Sequence, residues 1–181
     1  MAKLRKALCY RRLERPYTRK SRKREKSYVR GAPYSKIVSF DMGNPNGEYT
    51  HKVVLTSKND VQIRHNALES SRIAVNKVLA RTIGIQNYAF KIKPYPHHVL
   101  RENPLAAGAG ADRFQTGMSH SFGKPIGMAA RVHKGQELLV VKTTIKHVEA
   151  AKKALKQAIY KFPSVSYTHL RANETVLDLV C

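Results

Sequence analysis

Short apolar-rich runs along the chain predict strands, and in Lys36–Phe40 and Tyr88–Lys93 the apolar and polar positions alternate. The runs are Lys36–Phe40 (KIVSF), Tyr49–Thr56 (YTHKVVLT), Val61–Ile63, Tyr88–Lys93 (YAFKIK), His97–Arg101, Ile126–Val132 and Glu137–Thr144 (ELLVVKTT). Gly43-Asn-Pro-Asn-Gly47 reads as a turn after the first run, and Pro94 and Pro96 break the fourth. The last two runs are separated only by His133–Gln136, so they are expected to pair across that turn. In two segments the period lengthens to that of a helix. Asn66 is placed to cap the first, with Glu69 closing a capping box three residues on. Leu68, Val75, Val78, Leu79 and Thr82 form its inner face, Gly84 stops it, and Arg64, Arg72, Lys77 and Arg81 lie on or beside it. The second helix spans His147 to Phe162. Its stripe is Val148, Ala151, Leu155, Ala158, Ile159 and Phe162, with Lys152, Lys153, Lys156 and Lys161 off it and Pro163 ending it. Hairpins rather than regular strand–helix repeats give an α+β sandwich, with helices on one face of a mixed sheet.

One stretch escapes both periods. Asn103–Gly117 has no helical or strand pattern, and six of the ten glycines lie between Gly108 and Gly135. Such a long aperiodic loop is usually functional or disordered. Gly108, Gly110 and Gly117 allow positive φ or close approach to another surface, while Arg101 and Arg113 place charge at the loop's base and tip.

Charge then decides the class of partner. The 34 Lys and Arg against 12 Asp and Glu leave +22, an excess that calls for a polyanion. Residues 1–30 carry 13 cations and 2 glutamates, hence +11, half of the total. Tyr10, Tyr17 and Tyr28 interleave with those cations, which favours an arm docked on nucleic acid over a solvated tail. Residues 31–163 are long enough for one folded domain. Cys9 and Cys181 form neither a disulfide framework nor a zinc spacing, and no apolar run approaches a membrane span. The expectation is a soluble intracellular protein without cofactor, membrane or small-molecule substrate.

Enzyme motifs fail residue by residue. A Walker loop ending at Gly123-Lys124 would need glycine at Met118 and Ser or Thr at Pro125. Gly108-Ala-Gly110 lacks a third glycine at Arg113 for a dinucleotide site. His97 and His98 are adjacent, so on a strand they face opposite ways and do not share a metal. Asp112 beside Arg113 reads as an ion pair that orients the arginine rather than as a catalytic acid. What is left is a cationic scaffold and a shaped loop, which suits RNA. An architectural DNA protein and an RNA-processing enzyme are the rival readings.

The chain also resembles a known family. The matching pieces are Cys9-Tyr-Arg11, Arg15-Pro-Tyr17, Gly31-Ala-Pro, Lys36-Ile, Phe40-Asp-Met-Gly43, Ala67-Leu-Glu69, Arg72-Ile-Ala and Asn76-Lys77. Stronger still are Ala107–Met118 (AGAGADRFQTGM), Phe122-Gly-Lys-Pro125, Ala130-Arg-Val132, Gly135-Gln136 and Lys161-Phe-Pro163. In this order they resemble the ribosomal protein numbered sixteen in bacterial large subunits and ten-e in archaea and eukaryotes, the archaeal branch above all. The resemblance implies an α/β-hammerhead-like α+β fold embedded in large-subunit rRNA. Its place would be near the central protuberance and A-site tRNA, beside neighbouring large-subunit proteins. Loop 100–117 would reach toward the peptidyl-transferase centre and bound A-site and P-site tRNA, with a role in late subunit maturation and none in catalysis. The residues it implies for rRNA are Lys3, Arg5, Arg11, Arg12, Arg15, Tyr17, Arg19, Lys20, Arg22, Lys23, Arg24, Lys36, Arg64, Lys124 and Arg131. Those implied for the loop are Arg101, Gly108, Gly110, Asp112, Arg113, Gln115 and Gly117. Residues 164–181 depart from the pattern, because the family continues with glycine and a basic strand. This stretch resembles translated adapter-like tails and is expected to be foreign to the native gene; if native, it would be a short terminal strand.

Overall fold

A computed structural model describes residues 5–15, 23, 25, 29, 31–104, 108, 110, 117–163 and 166–172. The strands are β1 (Asp41–Gly43), β2 (His51–Ser57), β3 (Val61–Arg64), β4 (Tyr88–Ile92), β5 (His98–Glu102), β6 (Lys124–Val132), β7 (Glu137–Thr143) and β8 (Ser166–Ala172). The helices are α1 (His65–Thr82) and α2 (Val148–Ile159), so the class is α+β as expected.

The strands divide between two sheets, β1-β4-β7-β2-β8 and β3-β6-β5, and every described pairing is antiparallel. The expected β6–β7 hairpin is therefore corrected. Both edges of β7 are taken by β2 and β4, and both edges of β6 by β3 and β5. The His133–Gln136 turn instead carries the chain from one sheet to the other, as residues 58–60 do between β2 and β3. The two crossings are pinned together. Gly135 donates its N–H to Ser57 (2.8 Å), Ser57 donates to Gln136 (3.1 Å), and Lys134 donates to the Asp60 carboxylate (2.7 Å).

Burial alternates along β4, while β2, β6 and β7 bury runs of consecutive residues. Val53, Leu55, Phe90, Ile92, Leu139 and Val141 turn one face of the larger sheet into the core, joined by Val61, Ile63, Ala130 and Val132 from the smaller one. Helix α2 packs on β2, β7 and β8, and α1 on β3, β4 and β6, while the helices also pack along each other. Ala151, Ala154 and Ala158 are fully buried on α2, and side chains this small let the helix approach closely.

Three local expectations change. Lys36–Phe40 forms no strand: only Ile37 is buried, and the Val38 N–H goes to the Glu69 carboxylate (3.2 Å) rather than to a sheet. Pairing starts where Phe40 accepts the Ile92 N–H (2.9 Å) and continues into β1. The capping box is also absent. Strand β3 runs directly into α1 at His65, the N-cap position is Arg64, and no side chain caps the helix. Asn66 bonds only the adjacent Ala67 N–H (3.0 Å), and Glu69 is turned to Arg72. Thr82 is exposed, its hydroxyl donating to the Val78 carbonyl (2.9 Å). The helix does stop where expected, with Gly84 at φ 83°, a conformation other residues adopt at a cost.

Candidate nucleic-acid interface

The described part of the N-terminal arm lies against the smaller sheet and is held mainly through its backbone. On β3, Gln62 donates its N–H to Arg11 (2.9 Å), and its side-chain amide donates to the carbonyls of Tyr10 and Arg12. Arg64 donates to the Arg5 carbonyl (2.9 Å) and sits over the Tyr10 ring at 5.7 Å. Arg5 forms an ion pair with Glu102 of β5. Because main-chain carbonyls do most of this work, the side chains of Arg11, Arg12 and Arg15 stay exposed.

Strand register puts more of the nominated cations on the same sheet. Arg131 stands opposite Gln62 on β6 and is exposed, as is Lys124 at the strand's start. Lys36 is exposed and close enough to His65 to act on its charge, together with Arg64. Burial, and then these two cations, hold the His65 imidazole below its ordinary pKa. His98, on β5, is lowered first by burial and then by Arg131 and Arg101, with Glu14 opposing. His97 is exposed and His98 buried, the opposite orientations that adjacency on an extended segment requires. Lys23 is exposed as well.

At the end of this sheet stands the base of the long loop. The β5–β6 register shifts between Leu100 and Arg101, a bulge that re-aims the following side chain. Arg101 lies 4.2 Å above the Phe122 ring, bracing the two ends of the loop against each other. A side chain at Gly123 would strike the Glu102 backbone at 2.6 Å, so only glycine permits this closure. Gly108, Gly110 and Gly117 have φ of 117°, 86° and 78°, as their proposed conformational role requires. Met118 and Phe122 are 70% and 59% exposed at the loop's exit, an apolar display beside Arg101. Lys3, Tyr17, Arg19, Lys20, Arg22 and Arg24 of the arm lie outside the described residues, as do Asp112, Arg113 and Gln115 of the loop.

Sequence reasoning passed over two groups. Lys52, Lys91, Lys93 and Lys142 line a cleft of about 420 Å³ on the larger sheet. Lys52 is directly opposite Lys142, a like-charge pairing that disfavours the isolated fold. Glu137 lies 3.0 Å from Lys52 and 4.0 Å from Lys93, and Asp41 lies 3.0 Å from Lys91, so acids offset only part of this charge. Each lysine was visible on the polar side of a strand, but their convergence depends on a register that no single run reveals. The second group is Tyr10, Gln62 and His98, which sit inside the interface itself; Tyr10 and His98 were read singly from the sequence, but Gln62 and the meeting of the three were not. No cluster of metal-ligating side chains occurs among the described residues, and none of their helices is long and apolar enough to cross a membrane.

Comparison with known proteins gives this surface a context. Residues 16–167 match the ribosomal protein L16p/L10e family. The chain is 50% identical over 161 residues to large ribosomal subunit protein uL16 of Staphylothermus marinus, covering 88% of this chain and 89% of that one. It is 51% identical over 148 residues to uL16 of Hyperthermus butylicus (82% and 79% covered). To uL16 of Methanococcus maripaludis it is 51% identical over 162 residues (89% and 90% covered).

Proposed function

The chain belongs to the ribosomal protein L16p/L10e family, and from that premise we propose that it is a structural constituent of the large ribosomal subunit. The observation that carries this is identity near one half, along most of the chain, with proteins named for that subunit. Its role is to bind rather than to catalyse. It works in the cytoplasm, in contact with large-subunit rRNA and neighbouring ribosomal proteins.

In finer detail, the protein takes the family's hammerhead-like arrangement and sits near the central protuberance and the A-site tRNA. Residues 1–30 act as the rRNA-binding arm and 31–163 as the folded domain. Loop 100–117 extends toward the peptidyl-transferase centre and tRNA, and the protein supports late subunit maturation. The docked arm, the exposed Arg11, Arg12, Arg15, Arg131 and Lys124, and the braced loop base support this reading. Residues 164–181 are read as foreign to the native gene; against this stand a family match that runs on to residue 167 and β8, the short terminal strand expected of a native segment. Resequencing the locus tests that point, and recovery of the same codons would defeat it.

Gradient sedimentation of a native lysate tests the main reading. The protein should travel with large subunits at low salt and leave them at high salt, since each neutralised phosphate releases counterions. A protein found only in the free pool would overturn the assignment. Arg113→Ala should lower polysome content without unfolding the protein, and normal polysomes in that variant would remove the loop's role.

A further inference from the structure

Between the arm and the smaller sheet lies a cleft of about 330 Å³, lined among others by Tyr10, Glu14, Arg15, Gln62, His98 and Arg101. Its polar groups are unusual. Gln62 is 3% exposed and His98 8% exposed. The Gln62 side-chain nitrogen already donates to two arm carbonyls, which fixes the amide's orientation and leaves Oε1 as its unpaired atom. Gln62 Oε1, His98 Nδ1 and Tyr10 Oη are all buried without a hydrogen-bond partner among the described residues. Native folds rarely leave such atoms unpaired, because each loses its water and gains nothing in return. Three of them lining one cleft is a stronger signal than any one alone.

The chemistry of these atoms narrows the occupant. Gln62 Oε1 can only accept, so a phosphate or carboxylate, which also only accepts, does not satisfy it. Burial, then Arg131 and Arg101 against an opposing Glu14, lower the His98 pKa and so favour the neutral ring, which offers one donor and one acceptor. The occupant must therefore carry an N–H group together with an acceptor, and negative charge attached to it would meet Arg15 and Arg101, with Glu14 opposing. A base on an RNA strand has all of these features, and single-stranded RNA is commonly recognised by splayed bases.

We propose that this cleft receives one unstacked nucleobase of RNA, its polar edge hydrogen-bonded by Gln62, His98 and Tyr10, with the flanking phosphates on Arg15 and Arg101. The proposal rests on the RNA-binding reading above and adds a base-specific site to it.

The test compares two probes on the full chain by fluorescence anisotropy: a mixed-sequence single-stranded RNA and an abasic ribose-phosphate strand of equal length. The base-bearing strand should bind on the order of tenfold more tightly. It alone should shift the His98 imidazole nitrogen resonances. His98→Phe keeps a flat ring but removes Nδ1, and should weaken the base-bearing strand far more than the abasic one, closing that margin. Equal binding of both strands, or a His98 resonance unmoved by the base-bearing one, would show a cleft that merely holds solvent. Equal weakening of both strands in His98→Phe would assign His98 to docking the arm and overturn the base site. Displacement of the resonance by polyglutamate would assign the cleft to an acidic protein instead. If His98→Phe does not fold, the wild-type resonance decides the question alone. Failure of both strands to bind would bring down the RNA-binding reading as well, which separates the two conclusions.

Discussion

Glu69→Gln distinguishes two ways in which the same residue could hold α1. In a capping box glutamine serves as well as glutamate, so that role predicts almost no change. The structure gives Glu69 a different task. Its carboxylate receives Arg72 through two bonds, Nε at 2.9 Å and Nη2 at 2.7 Å, and also accepts the Val38 N–H at 3.2 Å. Arg72 reaches on to the Met42 sulfur at 3.4 Å, so the pair fastens the segment leading into β1 onto the helix. Both side chains are 15% exposed, which leaves limited solvent to screen the loss. Charge-assisted hydrogen bonds contribute roughly 1.5–3 kcal/mol, and glutamine keeps one acceptor oxygen, so a cost of about 1–3 kcal/mol is expected. In a domain of this size that lowers Tm by roughly 2–10 °C. Urea unfolding at neutral pH measures it directly, with Arg72→Met and the double variant closing a thermodynamic cycle. The pH dependence is a second check. The hydrogen bond from Arg72, more than any other influence, holds the Glu69 pKa below its ordinary 4.5. The contribution is therefore complete above that value and disappears as pH falls through the folded pKa, where wild type and variant should converge. An unchanged urea midpoint, or a deficit that persists at the acid end, refutes the staple.

Two further outcomes are expected. Leu155 is fully buried on α2, so Leu155→Ala should cost roughly 2–5 kcal/mol, and a negligible melting shift would contradict the helix register. His65 and His98 both have lowered pKa values, mainly from burial, so the unfolded chain takes up protons near pH 6.5 that the folded one refuses. Stability should be full above that pH and decline from 6.5 downward, before the carboxylates titrate; identical melting curves at pH 7.5 and 5.5 would contradict it.

Much of the architecture was legible because burial imposes a period. YAFKIK alternates since only one side chain in two reaches the core, and α2's stripe follows from the same constraint, whereas ELLVVKTT was legible as an apolar run whose residues Leu138 to Val141 are all buried. Pairing was not legible. The short turn at His133–Gln136 suggested a hairpin, but strand partners are chosen by distant segments, and β2 and β4 compete successfully for β7. Lys36–Phe40 had a strand's pattern but stands in neither sheet as a strand among the described residues, and its Val38 N–H goes to Glu69 on α1 instead. At the interface, charge indicated the arm and the loop, and the glycines with positive φ were identifiable by composition. Gln62 was hidden, as was its meeting with His98, because a single polar residue within a strand gives no sign that another segment will cover it.

How the arm is attached has a consequence for a protein with a charge of +22. Tyr10, Arg11 and Arg12 offer carbonyl oxygens to Gln62, and Arg5 offers one to Arg64, so most of the docking uses groups without net charge. Salt screens exposed ions over about 10 Å at 0.1 M but acts weakly on a buried amide–carbonyl bond. RNA affinity and arm docking should therefore respond differently to ionic strength. Raising salt from 0.1 to 0.5 M should weaken RNA binding steeply while the Gln62 backbone N–H, bonded to Arg11, keeps its hydrogen-exchange protection in the free protein. Protection that falls in parallel with affinity would mean that ion pairs such as Arg5–Glu102 hold the arm, and that it is not organised before RNA arrives. Protection that survives would mean that Arg11, Arg12 and Arg15 are already displayed in place, so that binding orders fewer residues and loses less of its strength to entropy.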